Sequence, residues 1–567
     1  MSRPIVTYES VTFSDGTTIS IDPTDIVVLV GPNNAGKSLA LRELESFLSN
    51  NSRKTVIHNA SLRKSGSAGD FDNYIRDHLL IKESGGSVEY SGYKFGVGLG
   101  LGTALSQYWP NDIGMLHGLF CLHLSTETRI TGSNPASAIA VLDEAASHPI
   151  HMLYSNDKLE HRISEYFQRA FGEALILFRA GGRELPLLVG ERLVPECGED
   201  RISSTYCERL IQSTVPLIEQ GDGMRSFASV ILHLLAPITP SILILDEPEA
   251  FLHPPQARVL GEIIATERSN RAQLFVATHS PDVLYGLVNV APESLRVLRI
   301  QREGDVNRIS ELDKDHVKDI STDPLMKYSS VMSGVFHERV IICESDADCM
   351  FYNSILELSE VHGDKQPDVL FVHANGKHRL AALARALKAL GVPVDIIADM
   401  DILNDLSVFK RTIEELGANW NQIGPLAQHV KTAIEQRRPP IDAAEIRESI
   451  EEVLSRVPPS GEFPTSLRKE IDSVFRGASP WDVLKSAGES AIPSGQPTQE
   501  FQELKRICKD SNLWIVPVGE LEGFCKSIGS HGPGWVQHVL ENRDLAIDTE
   551  LDTARRFVRE IWIRDAD

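Results

Sequence analysis

The chain has 567 residues, 42% of them hydrophobic and 24% charged, a composition that fits about two to four folded domains and excludes a disordered or fibrous protein. Its net charge of −23 disfavours general adhesion to nucleic acid, but it leaves room for a local basic groove or for carboxylate clusters that hold metals. Seven scattered cysteines without a CxxC pair point to a reducing cytoplasm, and no run approaches the roughly 20 apolar residues that span a bilayer. Neither a signal peptide nor membrane association is therefore expected.

Short strands are predicted over Ile5–Tyr8, Thr17–Ile21 and Ile26–Val30, with a hairpin turn at Asp15-Gly16. The last of them runs into Gly31-Pro-Asn-Asn-Ala-Gly-Lys-Ser38 and a helical pattern through Leu48. Strand, Gly-rich turn, Lys-Ser and helix form the order that a phosphate-binding P-loop requires. Backbone N–H groups around Gly31, Asn33, Asn34 and Gly36 would surround the phosphates of ATP. Lys37 would reach the β- and γ-phosphates, and the Ser38 hydroxyl would hold Mg²⁺. Residues from about 52 to 200 read as an insertion, with strands at Leu119–Leu124 and Ala174–Phe178. Gly96–Gly102 has the glycines of a dinucleotide fingerprint but no strand–helix crossover, and it reads as a loop or a glycine-rich strand.

A second group of signals begins at the Gly221-Asp222-Gly223 turn, which precedes a helical run over Phe227–Ala236. The buried strand Ser241–Leu245 ends in Asp246 and Glu247, at the strand end that faces a ligand crevice. There Asp246 is placed for Mg²⁺ and Glu247 for polarising an attacking water. The strand Gln273–Ala277 leads to His279, near the γ-phosphate. The segment Glu247-Pro-Glu-Ala-Phe-Leu-His-Pro-Pro-Gln256 and its neighbours resemble SMC/ABC-type ATPase heads. The resemblance puts Gly221, Asp222 and Gly223 where the signature that meets the γ-phosphate across a dimer stands, although Ser-Gly-Gly-Gln is absent. A strand over Ser294–Ile300 and a charged helical connector are expected to close this ATPase domain near residue 336.

From residue 337 onward strands alternate with helices, which implies a parallel sheet. The strand Glu338–Cys343 ends in Glu344 and opens onto Asp348, the strand Val369–His373 ends in the Gly376 turn, and the strand Val394–Ala398 ends in Asp399-Met-Asp401. The acids gather along one sheet edge, where they would repel one another without a cation. An all-oxygen donor set suits Mg²⁺ or Mn²⁺, and two such ions can hydrolyse a phosphodiester. Asp348 and Asp405 also sit where helix caps belong. A helical, charged insertion over about 402–510 then interrupts the unit. It carries Lys410, Arg411, Arg437, Arg438, Lys505, Arg506 and Lys509, and it could act as a lid, a DNA clamp or a dimer surface. The sheet resumes at Leu513–Val518. There Glu520 or Glu522 would complete a second metal site, and Lys526 would neutralise charge on the phosphate. A C-terminal amphipathic helix with Arg555, Arg556 and Arg559 is expected to pack.

Glu344, Gly376 and Asp399 with Asp401 resemble the TOPRIM pattern, with Glu344-Ser345 in place of the usual Glu-Gly. An ABC-type ATPase (1–336) followed by a TOPRIM domain (337–567) resembles the OLD-family nucleases, including the nuclease subunit of Gabija anti-phage defence. Retron effectors and PARIS share the same two halves. The resemblance implies an α/β fold, a cytoplasmic DNA endonuclease or nickase gated by nucleotide, and a homodimer or homotetramer built through the ATPase heads. It also implies a role in bacterial defence, with a partner protein or nucleic acid as trigger. The alternative is an ATP-hydrolysing sensor or scaffold whose TOPRIM half acts through a partner.

Overall fold

The computed structural model describes residues 3–49, 54–110, 113–140, 144–236, 240–267, 272–312, 330–358, 367–436, 443–457, 463–476 and 479–563. It divides into two compact units, Met1–Phe336 and His337–Asp567.

The first unit is built on a six-stranded sheet in the order Val306–Glu311, Leu295–Glu303, Ile26–Val30, Gln273–Ala277, Ile242–Asp246, Cys121–Leu124. Every neighbouring pair is parallel except the edge hairpin of Leu295–Glu303 with Val306–Glu311. All five residues of Ile26–Val30 are buried, as an apolar run covered on both faces requires. The strand turns sharply into the P-loop at Gly31, whose φ is 139°. A Cβ there would lie 2.1 Å from the Ile300 carbonyl oxygen, so only glycine lets the two chains approach this closely. A separate antiparallel sheet packs Ile5–Phe13 between Thr18–Ser20 and Ile57–Ser65. The Gln273 side chain ties that sheet to the central one, accepting from Tyr8 N at 2.7 Å and donating to Tyr8 O at 2.7 Å.

Three sequence expectations change here. The segment 52–200 is not one insertion: Ile57–Ser65 completes the N-terminal sheet, and Cys121–Leu124 is the edge strand beside Ile242–Asp246. The apolar run that begins at Leu119 is split, because Ile113–Phe120 is helical and only Cys121–Leu124 extends. After Ile300 the chain makes the strand Val306–Glu311 where a helical connector was expected; the rest of that connector, 313–329, lies outside the described residues. The glycines from Gly96 to Gly100 belong to the strand Phe95–Gly100, in a three-stranded antiparallel sheet.

The second unit carries a four-stranded, wholly parallel sheet in the order Val369–His373, Arg339–Cys343, Val394–Ala398, Leu513–Ile515. The strand order reverses direction between Arg339–Cys343 and Val394–Ala398. Such a switch point opens a crevice at the carboxyl ends of the strands, and here those ends are Glu344 and Asp399. Below it, buried Asp395 accepts from Arg339 Nε at 2.5 Å and from Trp514 Nε1 at 2.7 Å, cross-linking three strands. The Asp552–Ile563 helix packs through Ala554, Phe557, Val558 and Ile561. From the 402–510 segment, the helix Gln496–Asp510 packs against the edge strand Leu513–Ile515. Of its basic residues and Pro-rich breaks, 437–442 and 458–462 lie outside the described residues.

Candidate functional site

In the first unit the carboxyl ends of Ile26–Val30, Ile242–Asp246 and Gln273–Ala277 bring the P-loop, Asp246, Glu247 and His279 together. Lys37 is buried, and its Nζ donates to Gly31 O and Pro32 O at 2.8 Å each, curling over the loop that it closes. Asn34 and Gly36 both adopt positive φ, at 62° and 101°, which bends the loop around the space that a phosphate takes. Ser38 Oγ donates to Asp246 Oδ1 at 2.8 Å, so the two groups assigned to one cation already face each other. His279 Nε2 lies 3.3 Å from Glu247 Oε1. Burial, and then the Lys37 ammonium, hold the His279 imidazole below its ordinary range, which favours the neutral ring at physiological pH.

Two further residues complete this arrangement. Arg129, on the helix Thr126–Thr131, is fully buried. Its guanidinium donates to Asp246 O, to Glu247 O at 2.6 Å, to Leu124 O at 3.2 Å and to Ser226 Oγ at 3.2 Å. It thus joins the Asp246–Glu247 backbone to the helix that starts at the Gly221-Asp222-Gly223 turn. Glu249 Oε1 accepts from Thr278 Oγ1 at 2.7 Å, His279 N at 2.8 Å and Ser280 N at 3.1 Å, fixing the loop that presents His279. Glu249 was visible within the Glu-Pro-Glu motif. Arg129 had no sequence signal, because the partners that tie it to the site, Asp246 O and Glu247 O, are backbone carbonyls more than a hundred residues away.

The signature-like turn caps Asp222–Leu234 through Gly221. A Cβ on Gly223 would stand 2.5 Å from Phe251 O, so this glycine is needed for close packing on the Glu-Pro-Glu loop. The helix that follows the turn also meets the nucleotide motifs through Ser226, whose Oγ accepts from Arg129 Nε at 3.2 Å.

In the second unit Glu344, Asp399 and Asp401 each offer a carboxylate oxygen within 4.8 Å of the others. Glu344 Oε1 accepts from Asp399 N at 3.1 Å, and Glu344 O accepts from Gly376 N at 2.8 Å, where Gly376 has a φ of 103°. Burial first, and Asp401 second, push the Glu344 carboxyl up to about 7. Burial and then Glu344 hold Asp399 well above the usual carboxylate range. This is the signature of negative charge crowded into a site that a cation would relieve, and an all-oxygen donor set fits a hard divalent ion. A second cluster, Glu520, Glu522 and His531, also has its donor atoms within 4.8 Å of one another. Asp348 behaves as a capping residue: its Oδ2 accepts from Ser345 N at 2.8 Å and from Ser345 Oγ at 2.9 Å, and Ser345 is the cap itself.

The acids are not without cations, contrary to the sequence reading. Lys377 Nζ is 3.0 Å from Asp401 Oδ1, and Lys485 Nζ lies 3.3 Å from Asp401 Oδ2 and 3.4 Å from Glu520 Oε2. Lys485 links the two clusters, and it comes from the 402–510 segment, on the helix Pro480–Ala487. Gly519 makes this possible, since a Cβ there would meet Lys485 O at 2.1 Å. Lys526, expected beside the phosphate, is instead exposed and lines a cavity with Lys505, Lys509 and Arg556.

Residues 133–284 match the family described as AAA domain, putative AbiEii toxin, Type IV TA system, and residues 335–401 match the Overcoming lysogenization defect protein-like TOPRIM domain. A P-loop ATPase followed by a TOPRIM domain is the class that these two matches define. The two matched domains and their order are similar to those of the OLD-family ATPase–TOPRIM nucleases. The chain is 23% identical over 295 residues to the Old nuclease of Escherichia phage P2, an alignment covering 50% of this chain and 44% of that protein. The chain thus spans less than half the length of the curated relative it matches. Solved structures similar to it include the SMC head domain from Thermotoga maritima, at 11% identity and a TM-score of 0.27 over 55% of this chain and 100% of that one. Another is the Smc head domain with an extended coiled coil bound to the C-terminal domain of ScpA from Pyrococcus furiosus, at 10% identity and a TM-score of 0.31 over 56% and 98%. The two domain classes imply nucleotide and divalent-metal use. Among the described residues no helix is long and apolar enough to cross a membrane.

Proposed function

We propose that the chain is a nucleotide-gated, divalent-metal-dependent DNA endonuclease or nickase of bacterial anti-phage defence, with an ATPase domain over 1–336 and a TOPRIM nuclease domain over 337–567. The observation that carries this reading is the Glu344–Asp399–Asp401 cluster at the sheet's switch point. These three residues would hold one Mg²⁺ or Mn²⁺, and Glu520 with Glu522 a second. Ions bound there activate a water and stabilise the leaving oxygen. Lys377 and Lys485 orient Asp401 and Glu520 and stand ready to pair with a phosphate when the carboxylates turn to metal. At the other site Lys37 binds the β- and γ-phosphates, Ser38 and Asp246 share a cation, Glu247 orients water, and neutral His279 positions Glu247. The heads would pair as a homodimer or homotetramer, and the trigger would be a partner protein or a nucleic acid.

The test is plasmid cleavage by the purified chain with Mg²⁺ or Mn²⁺, with and without ATP. Metal-dependent nicking or linearisation is expected, and the ATP lane gives the sign of control. Intact ATPase with uncut plasmid in every lane would favour the second reading, a nucleotide-driven sensor or scaffold. The observation on its side is that Lys377 pairs with Asp401, and Lys485 with Asp401 and Glu520, which offsets part of the charge that a metal would otherwise balance.

Arg129 yields a sharper expectation for the ATPase. Arg129→Lys keeps the charge but cannot span two adjacent carbonyls and Ser226 at once. ATP turnover is expected to fall about tenfold or more, with ATP affinity changed less than about threefold, because Lys37 and the P-loop backbone are untouched. Steady-state hydrolysis alongside equilibrium nucleotide binding checks this; equal losses in both would assign Arg129 to binding instead.

A further inference from the structure

A cavity of about 340 Å³ lies in the second unit beside the edge strand Leu513–Ile515, and its lining contains none of the residues assigned above to nucleotide or metal. Its lining combines apolar side chains, Leu513, Trp514, Pro517, Val518 and Phe557, with basic ones. Four cations, Lys505, Lys509, Lys526 and Arg556, face two carboxylates, Glu489 and Glu560. An excess of positive charge in a chain of net charge −23 is a local choice and not an effect of composition.

The cations differ in how they are held. Lys505 pairs with Glu489 at 2.6 Å, and Lys509 pairs with Glu560 at 3.2 Å while lying 5.3 Å from the Trp514 ring centroid. Both pairs are partly exposed, so neither is strong and an incoming anion can compete for the lysines. Lys526 and Arg556 make no ion pair among the described residues. A lining that joins apolar side chains to two cations outside any ion pair among the described residues and two in partly exposed pairs suits a ligand with a flat, poorly hydrated body and a phosphate. We infer that this cavity binds a nucleotide unit, its phosphate held by Lys526 and Arg556 and its base against the apolar side chains.

The position gives such a ligand a route to the carboxylates. Pro517 and Val518 immediately precede Gly519 and Glu520, and Ala487 follows two residues after Lys485. Glu489 N donates to Pro517 O at 3.1 Å, so the two segments lining the cavity are tied together where they lead to Lys485 and Glu520. The nucleotide unit has two sources with one chemistry: a free nucleoside phosphate, or one nucleotide of a DNA strand. Binding itself does not depend on the nuclease reading and can be measured without cleavage.

The experiment uses the full chain carrying Lys37→Ala, so that the P-loop site does not contribute, in EDTA to prevent cutting. It is titrated by fluorescence anisotropy with methylanthraniloyl-ADP and, separately, with a short fluorescein-labelled single-stranded DNA. Adding Lys526→Glu and Arg556→Glu is expected to weaken binding about tenfold or more, because each removes a charge-assisted contact. Lys82→Glu, an exposed reversal in the other unit, is expected to leave it unchanged. A loss confined to the nucleotide identifies a free effector, and one confined to DNA identifies a strand contact; either supports the cavity. Equal binding by the reversed and parent proteins, or binding of neither probe, overturns it. Protection of Lys526 from amine acetylation by either probe, read by mass spectrometry on the otherwise unaltered Lys37→Ala chain, gives a second measure that does not rely on the reversed variant folding. An unchanged labelling rate overturns the inference as well.

Discussion

Glu344→Gln is expected to reduce DNA cleavage by about 10³-fold or more while ATP binding stays at the parent level. The amide is isosteric and keeps an oxygen to accept from Asp399 N, so the loss isolates the charge and not the shape. The same substitution has a stability signature that a purely structural residue would lack. Burial and Asp401 raise the folded-state Glu344 carboxyl to about 7, whereas the unfolded chain titrates near the ordinary value of about 4.3. Between those values the folded protein holds a proton that the unfolded one has lost, so stability without metal falls as pH rises through that window. Asp399 and Asp348, both raised, act in the same direction. Urea unfolding in EDTA at about pH 5 and about pH 8 should therefore show the parent less stable at the higher pH. Glu344→Gln should flatten the difference by an amount on the order of 1 kcal/mol or more. Adding Mg²⁺ or Mn²⁺ should restore stability to the parent and not to the variant. Normal cutting by Glu344→Gln would move the metal site elsewhere, and an unflattened pH profile would show that the carboxylate is not crowded.

What the sequence revealed and what it hid follow from how far each signal reaches along the chain. The P-loop, Asp246-Glu247 and Glu344 were legible because each acid or glycine terminates an apolar strand, and a parallel sheet carries all such ends to one edge. Glu344 and Asp399 meet because their strands flank the point where strand order reverses, which the structure shows and which strand–helix alternation alone leaves open. Lys485 was not legible. It sits in a helix of ordinary amphipathic pattern within the 402–510 segment, and what aims it at Asp401 is the missing Cβ of Gly519, more than thirty residues on. Arg129 was hidden for a related reason: backbone carbonyls carry no residue identity for a pattern to match. Lys526 failed in the opposite way. Its nearness in sequence to Glu522 suggested nearness in space, but the short turn Leu521–Phe524 intervenes and its side chain belongs to the cavity by Trp514. Cys121–Leu124 was legible as a strand, but its start was set two residues early because the helix before it is equally apolar.

Glu247→Gln should uncouple ATP binding from ATP turnover, and its contrast with Lys37→Ala is the most informative pair of changes in the first unit. Glu247 has a φ of 50°, a left-handed conformation that an ordinary residue rarely adopts. Its N–H donates to Ala277 O at 2.8 Å and its carbonyl accepts from Arg129 at 2.6 Å, so the backbone is held from both sides and the side chain is delivered 3.3 Å from His279. Strain maintained in this way marks a placed group. The glutamine should inherit that placement, keep ATP affinity within about threefold, and lose hydrolysis by about 10²-fold or more, because it cannot take a proton from water. Lys37→Ala should instead lose the nucleotide, since the buried ammonium that closes over Gly31 and Pro32 is the only side-chain cation the P-loop motif itself supplies. The two variants therefore hold the chain in opposite states, nucleotide retained against nucleotide absent, while the carboxylate cluster of the other unit is unchanged in sequence. If nucleotide gates cleavage, plasmid cutting in Mn²⁺ with ATP must shift in opposite directions in Glu247→Gln and Lys37→Ala. Whichever variant cuts faster names the permissive state. Identical cutting by both, with metal dependence intact, would separate the ATPase from the nuclease altogether and leave the trigger to a ligand of the second unit.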